Sequence, residues 1–246
     1  MKKRLRWILP LAAIVLLAGG FLLYTAQYYH ADADAKAALV SDGAVQVAQT
    51  DYGWFFDGFS EDSALIFYPG GKVEATAYAP LCRLLARSGF DVCLVEMPLR
   101  LAMFGQNKAS SIMASMDYAH WYIAGHSLGG VFASSYAAEH AQALDGVLLL
   151  ASYPTKQLGD GLKTLLIYGS EDAVLNREKY QESLQYVPEH ATQYVIAGGN
   201  HAQFGSYGAQ AGDGAALISR LQQMEETVRV ICERILDQNP EKTIDS

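Results

Sequence analysis

The sequence predicts an α/β fold, a mostly parallel central sheet with helices on both faces, preceded by an N-terminal transmembrane helix. Three observations lead there. From Ala44 onward short apolar runs alternate with helix-length segments. The first 30 residues differ in composition from everything that follows. The chain has 246 residues, 51% of them hydrophobic, enough for one substantial core. The expected organisation is a membrane anchor or signal segment (1–30), a linker (31–43), one α/β domain (44–238) and a polar tail (239–246).

The N-terminal segment begins with Lys2, Lys3, Arg4 and Arg6, after which no Asp, Glu, Lys or Arg occurs until Asp32. Its apolar centre, Trp7 to Ala26, would span about 30 Å as a helix, the thickness of a bilayer's hydrocarbon core. Trp7 at one end and Tyr24, Tyr28 and Tyr29 at the other sit where aromatic rings favour the membrane interface. The basic flank predicts a cytoplasmic N-terminus and a cell-membrane protein with its main domain outside the cytoplasm. The alternative is a secreted protein released at the small-x-small site Ala31-Asp32-Ala33, although the apolar run exceeds the about 7–15 residues of a signal peptide. Asp32 to Ser41, rich in Ala and Asp, reads as a polar linker.

Within the domain, Val45 to Gln49 and Trp54 to Asp57 predict an antiparallel pair turning at Asp51-Tyr52-Gly53. Ala64 to Tyr68 is a continuous apolar run ended by Pro69-Gly70-Gly71, as expected of a buried strand entering a tight loop. Ala75 to Ser88 has helical spacing and stops at Gly89. Further strands are expected at Asp91 to Val95, Trp121 to Ala124, Leu144 to Ala151, Thr164 to Tyr168 and Gln193 to Ile196. Helices are expected at Ala109 to Met116, Gly129 to Ala141, Asn176 to Tyr186 and Ala215 to Leu236. The 12 residues Ser152 to Lys163, between two expected strands, are too few for a lid domain.

A net charge of −8, with no basic run beyond the first six positions, argues against nucleic acid as a partner. Cys82, Cys93 and Cys232 stand far apart, without the spacing of a zinc site or a disulfide framework, and read as buried thiols. Neither a metal nor another cofactor is indicated.

The chemistry centres on Gly125-His126-Ser127-Leu128-Gly129, between an apolar strand and an alanine-rich helix. A serine hydroxyl is a poor nucleophile at neutral pH and must be held where a base can take its proton. A sharp strand-to-helix turn does this, and glycines two residues to either side remove the side chains that would collide there. The same turn offers the N–H of Leu128, at a helix start, to a developing oxyanion. An acid and then a histidine should follow, each just beyond a strand end. Asp172 and His201 hold those positions, with Glu171 as the rival acid; an Asp-x-Val pattern favours Asp172, the valine anchoring its loop. The second oxyanion donor is expected at Gly71 or Lys72. Glu96 and Arg100, beyond the strand Asp91 to Val95, are candidates for substrate contact or for an ion pair with each other.

Together these residues resemble the α/β-hydrolase superfamily over roughly Ala44 to Leu236. Tyr68 to Val73, Gly125 to Gly130 and Gly199 to Gly205 are similar to the compact, capless branch of dienelactone-hydrolase-like proteins and small bacterial carboxylesterases. Dienelactone hydrolases proper use a cysteine nucleophile, where this chain has Ser127. The resemblance implies a serine hydrolase: acylation of Ser127, proton transfer by His201, orientation of His201 by Asp172, and hydrolysis of the acyl-enzyme. A small-molecule carboxylic ester is the expected substrate and a membrane, through residues 7–26, the expected partner. An acyltransferase or peptidase with the same triad, or a non-catalytic surface binding module, are the alternatives.

Overall fold

The computed structural model describes residues 2–236, with the side chains of residues 2–9, 11 and 12 left aside. The expected tail at 239–246 lies outside the described residues. One eight-stranded sheet runs in the order β1-β2-β4-β3-β5-β6-β7-β8. Its strands are β1 Gln46–Thr50, β2 Gly53–Asp57, β3 Ser63–Tyr68, β4 Asp91–Val95, β5 His120–His126, β6 Gly146–Leu150, β7 Lys163–Gly169 and β8 Thr192–Ile196. β1 pairs antiparallel with β2, and β2 antiparallel with β4; every other pairing is parallel. All five residues of β4 and of β6 are buried, as continuous apolar runs covered on both faces should be.

The helices are α1 Lys2–Ala26, α2 Ala33–Ala37, α3 Ala79–Ala86, α4 Lys108–Met113, α5 Leu128–Glu139, α6 Arg177–Ser183 and α7 Arg220–Ile235. Alternation along β3 decides how they divide. Leu65 and Phe67 face a core shared with Leu81 and Leu85 of α3 and Val228 and Ile231 of α7. Ala64, Ile66 and Tyr68 face the other, with Ile112 of α4, Tyr136 of α5 and Tyr180 of α6.

Three expectations are revised. The run Ala75 to Ser88 is a 3-10 turn, Ala75–Tyr78, leading into α3, with Pro80 in the first turn of that helix. The last helix starts at Arg220 because Ser219 caps it, accepting from the N–H of Gln222 while the Gln222 side chain returns to the Ser219 N–H. The start of the expected linker 31–43 is anchored to the domain, while most of its residues stay exposed: Ala31 and Ala35 are buried, and Asp32 both caps α2 and pairs with Arg220 at 2.6 Å.

The run expected to cross a membrane forms most of α1. Among the described residues, however, no helix is long and apolar enough to cross a membrane. The transmembrane reading therefore finds no support in the fold, and part of that run lies outside the described side chains.

The sheet order positions the site. From β3 the chain crosses to β4 on one side, while β5 lies on the other side of β3. Loops leaving the carboxyl ends of β3 and β5 diverge there, opening the crevice in which α/β sheets bind ligands. Gly70-Gly71 follows β3 and Ser127 follows β5.

Candidate active site

Ser127 stands between β5 and α5 with φ 51° and ψ −125°. This conformation is unfavourable for a residue with a Cβ, and such strain costs on the order of 1–3 kcal/mol. The packing around it leaves little alternative. A Cβ on Gly125 would lie 2.6 Å from backbone atoms of Gly129, and one on Gly129 would lie 2.2 Å from the carbonyl oxygens of Tyr68 and Pro69. The end of β5, the start of α5 and the loop after β3 thus approach backbone to backbone. Ser152 secures the turn from the next strand, its Oγ donating to the Ser127 carbonyl at 2.7 Å.

His201 and Asp172 are both buried, and His201 Nδ1 lies 2.9 Å from Asp172 Oδ2. A carboxylate can only accept, so Nδ1 carries the proton and Nε2 presents a lone pair. Nε2 is buried and has no hydrogen-bond partner among the described residues. His201 and Ser127 line the same cavity of about 220 Å³, with Leu128, Val131, Tyr153, Val174 and Leu175. The other carboxylate oxygen, Oδ1, accepts from the N–H groups of Val174 and Leu175 at 2.9 and 2.8 Å. Backbone donors rather than a valine side chain therefore fix the acid loop, and it is Leu175 that is buried. Glu171 takes a different role, accepting from the Ser170 hydroxyl at 2.8 Å.

The two candidates for the second oxyanion donor differ sharply. The Lys72 N–H is spent on the carbonyl of Arg100 at 2.9 Å, whereas the Gly71 N–H has no partner among the described residues. A Cβ on Gly71 would meet the Leu128 side chain at 2.8 Å, so the glycine lies directly against the residue expected to be the first donor.

Glu96 and Arg100 are not brought into the Ser127 cavity. They line a neighbouring cleft of about 140 Å³ with Tyr28, Pro69 and Glu74. Nor do they pair with each other: the Arg100 guanidinium lies over the Tyr28 ring, 3.4 Å from its centroid.

Sequence reasoning missed several supporting residues. Buried Tyr78 accepts from the Gly70 N–H at 3.1 Å, and its hydroxyl lies 2.7 Å from His126 Nδ1. Burial pushes the Tyr78 hydroxyl pKa well up, so it is protonated and donates to that nitrogen. The His126 ring lies 4.6 Å from that of His201. Burial, and secondarily the proximity of His201, hold the His126 pKa well below its ordinary value, so His126 is neutral. Asp213 accepts from the N–H groups of His201 and Ala202 at 3.3 and 2.9 Å and from that of Ala173 at 3.3 Å, tying the histidine loop to the acid loop. No spacing rule singles out Asp213, because its role exists only once the two loops meet. The three cysteines are free and buried, away from this chemistry.

Residues 64–225, more than half of the chain, match the model of the alpha/beta hydrolase family, and the chain belongs to that family. A comparison with curated protein sequences finds no match. Among solved structures it is similar to a CIB-like hydrolase from Thermoplasma acidophilum, with TM-score 0.56 and 14% identity, covering 77% of this chain and 99% of that one. Est1E from Butyrivibrio proteoclasticus gives TM-score 0.55 and 13% identity, covering 79% and 100%. A bacterial membrane phospholipase A gives TM-score 0.53 and 13% identity over 93% of this chain and 99% of that one. At these identities the likeness is one of fold.

Proposed function

We propose that the protein is a serine hydrolase of carboxylic esters. The observation that carries the reading is the buried Asp172–His201 pair, whose proton on Nδ1 leaves Nε2 as a base in the cavity that Ser127 also lines. In this reading Ser127 Oγ attacks the ester carbonyl while its proton passes to His201 Nε2. The oxyanion is met by the N–H groups of Leu128 and Gly71; losing one such donor costs about 2.7–4 kcal/mol of transition-state stabilisation. His201 then protonates the departing alcohol, and water, deprotonated by the same nitrogen, releases the acid from Ser127. No helix or strand occurs between Ala151 and Leu162 to cover the site.

The test is labelling with a fluorophosphonate probe, followed by hydrolysis of p-nitrophenyl esters of rising chain length. Wild type should label and Ser127→Ala should neither label nor hydrolyse. A folded wild type that resists the probe would remove the basis for the proposal.

Membrane attachment outside the cytoplasm is proposed on separate grounds. The uncharged run Trp7 to Ala31 supports it, as do Ile14, Val15, Leu16, Leu17 and Leu23 of α1, each 62–75% exposed. The protein should stay with membranes through alkaline carbonate washing and be digested by protease added outside intact cells. Release by the wash, or protection from protease, contradicts this.

A further inference from the structure

We infer that the segment Tyr28 to Asp32 is a working part of the active site, a brace joining the oxyanion loop to the histidine loop, and that the functional enzyme retains it. The inference rests on the serine hydrolase reading, which assigns roles to those two loops.

Tyr29 is the centre of the brace. Its N–H donates to the carbonyl of Lys72 at 2.8 Å, and its own carbonyl accepts from the Glu74 N–H at 2.9 Å. The two bonds form a parallel bridge between Tyr29 and Val73, immediately after Gly70-Gly71. Neighbouring residues reinforce it. The Ala31 N–H donates to the Glu74 carboxylate at 3.1 Å, Arg100 stacks on Tyr28, and Lys72 lies 3.9 Å over the Tyr24 ring. Lys72, Leu99 and Arg100 all have positive φ, of 58°, 53° and 58°. Non-glycine residues hold such angles only where their surroundings overdetermine them, and this segment supplies part of that constraint.

The other side of Tyr29 reaches the histidine loop. Its ring packs against Tyr207 at 5.5 Å, and its hydroxyl accepts from the Ala211 N–H at 3.1 Å. The next contact repeats the theme, the Asp32 N–H donating to the carbonyl of Ser206 at 2.9 Å. Ser206, Tyr207 and Ala211 lie between His201 and Asp213, the residue that pins the His201 backbone. One residue therefore spans the two loops, its backbone held beside Gly71 and its side chain against the loop that carries His201. Cleavage in the small-residue site Ala31 to Ala33 would remove it from the domain.

The full-length enzyme in detergent tests this. Tyr29→Ala keeps the backbone bridge but removes the ring; kcat should fall about tenfold with KM within about twofold, the pattern of lost positioning rather than lost binding. Tyr29→Phe, which keeps the ring, should recover most of kcat. Val40→Ala, at an exposed position outside the brace, should match wild type. Intact-mass analysis of active enzyme recovered from cells should give a chain that includes Tyr29. Wild-type kcat in Tyr29→Ala, or an active mature chain starting at or after Asp32, overturns the inference. Hydrolysis that survives Ser127→Ala overturns the serine reading instead.

Discussion

His126 illustrates how a residue next to Ser127 can shape the proposed site from within the core. It is buried, receives the Tyr78 hydroxyl on Nδ1, and lies against His201. A charge there would oppose the imidazolium that the proposed mechanism forms on His201, so a neutral ring suits that proposal. Neutrality has a measurable consequence for stability. The unfolded chain takes up a proton near the ordinary histidine pKa of about 6.5, while folded His126 resists it to well below that. The unfolded state therefore binds more protons in that interval, and stability falls as pH drops below about 6.5, at up to about 1.4 kcal/mol per pH unit, until the folded value is reached. Tm should accordingly decline between pH 8 and pH 5.5, and less steeply in His126→Gln, whose amide can still accept from Tyr78. An unchanged slope in the variant would assign the decline to other groups.

Among the elements, the strand-to-helix turn was the most legible and the loops around it the least. Glycines at 125 and 129 announce a close backbone crossing, since a Cβ at either position would meet backbone atoms that cannot rotate aside. The placement of Ser127, Asp172 and His201 beyond strand ends could be read because each of those strands has a clear apolar pattern. The start of α7 could not be read this way: Ala215 to Leu217 continue an apolar pattern, yet the cap at Ser219 decides where the helix begins. Which of Gly71 and Lys72 has its N–H occupied was equally hidden, since it depends on which one finds the Arg100 carbonyl. The turn also yields a mutational expectation. In Gly129→Ala the new methyl group would meet the carbonyl oxygens of Tyr68 and Pro69 at 2.2 Å and push the oxyanion loop away from Leu128. Stability should fall by about 1–3 kcal/mol by denaturant unfolding, with a larger proportional loss of kcat than of thermal stability. A variant with wild-type unfolding and turnover would show that the crossing is looser than its geometry implies.

Across the whole molecule, the proposed site rests on elements remote in sequence from Ser127, Asp172 and His201. Tyr29 reaches it from the N-terminal side, and α7 reaches it from the C-terminal side through Gln223. This fully buried amide donates to the Asn200 carbonyl at 2.8 Å and accepts from the Asn200 N–H at 2.9 Å, satisfying both backbone polar groups of the residue before His201. A glutamine in an amphipathic helix gives no sequence signal for such a role, because its partner lies 23 positions away and is defined only by the packed fold. Gln223→Ala would leave a donor and an acceptor buried without partners, each costing about 1–3 kcal/mol. Unfolding free energy should drop by at least about 2 kcal/mol. Since Asn200 also holds the loop through Gly214 and Gln203, His201 should lose registry with Asp172 rather than leave the site. Turnover should therefore fall while fluorophosphonate labelling slows but persists. Equal stability in Gln223→Ala and wild type would show that water replaces the amide and that α7 does not hold the histidine loop.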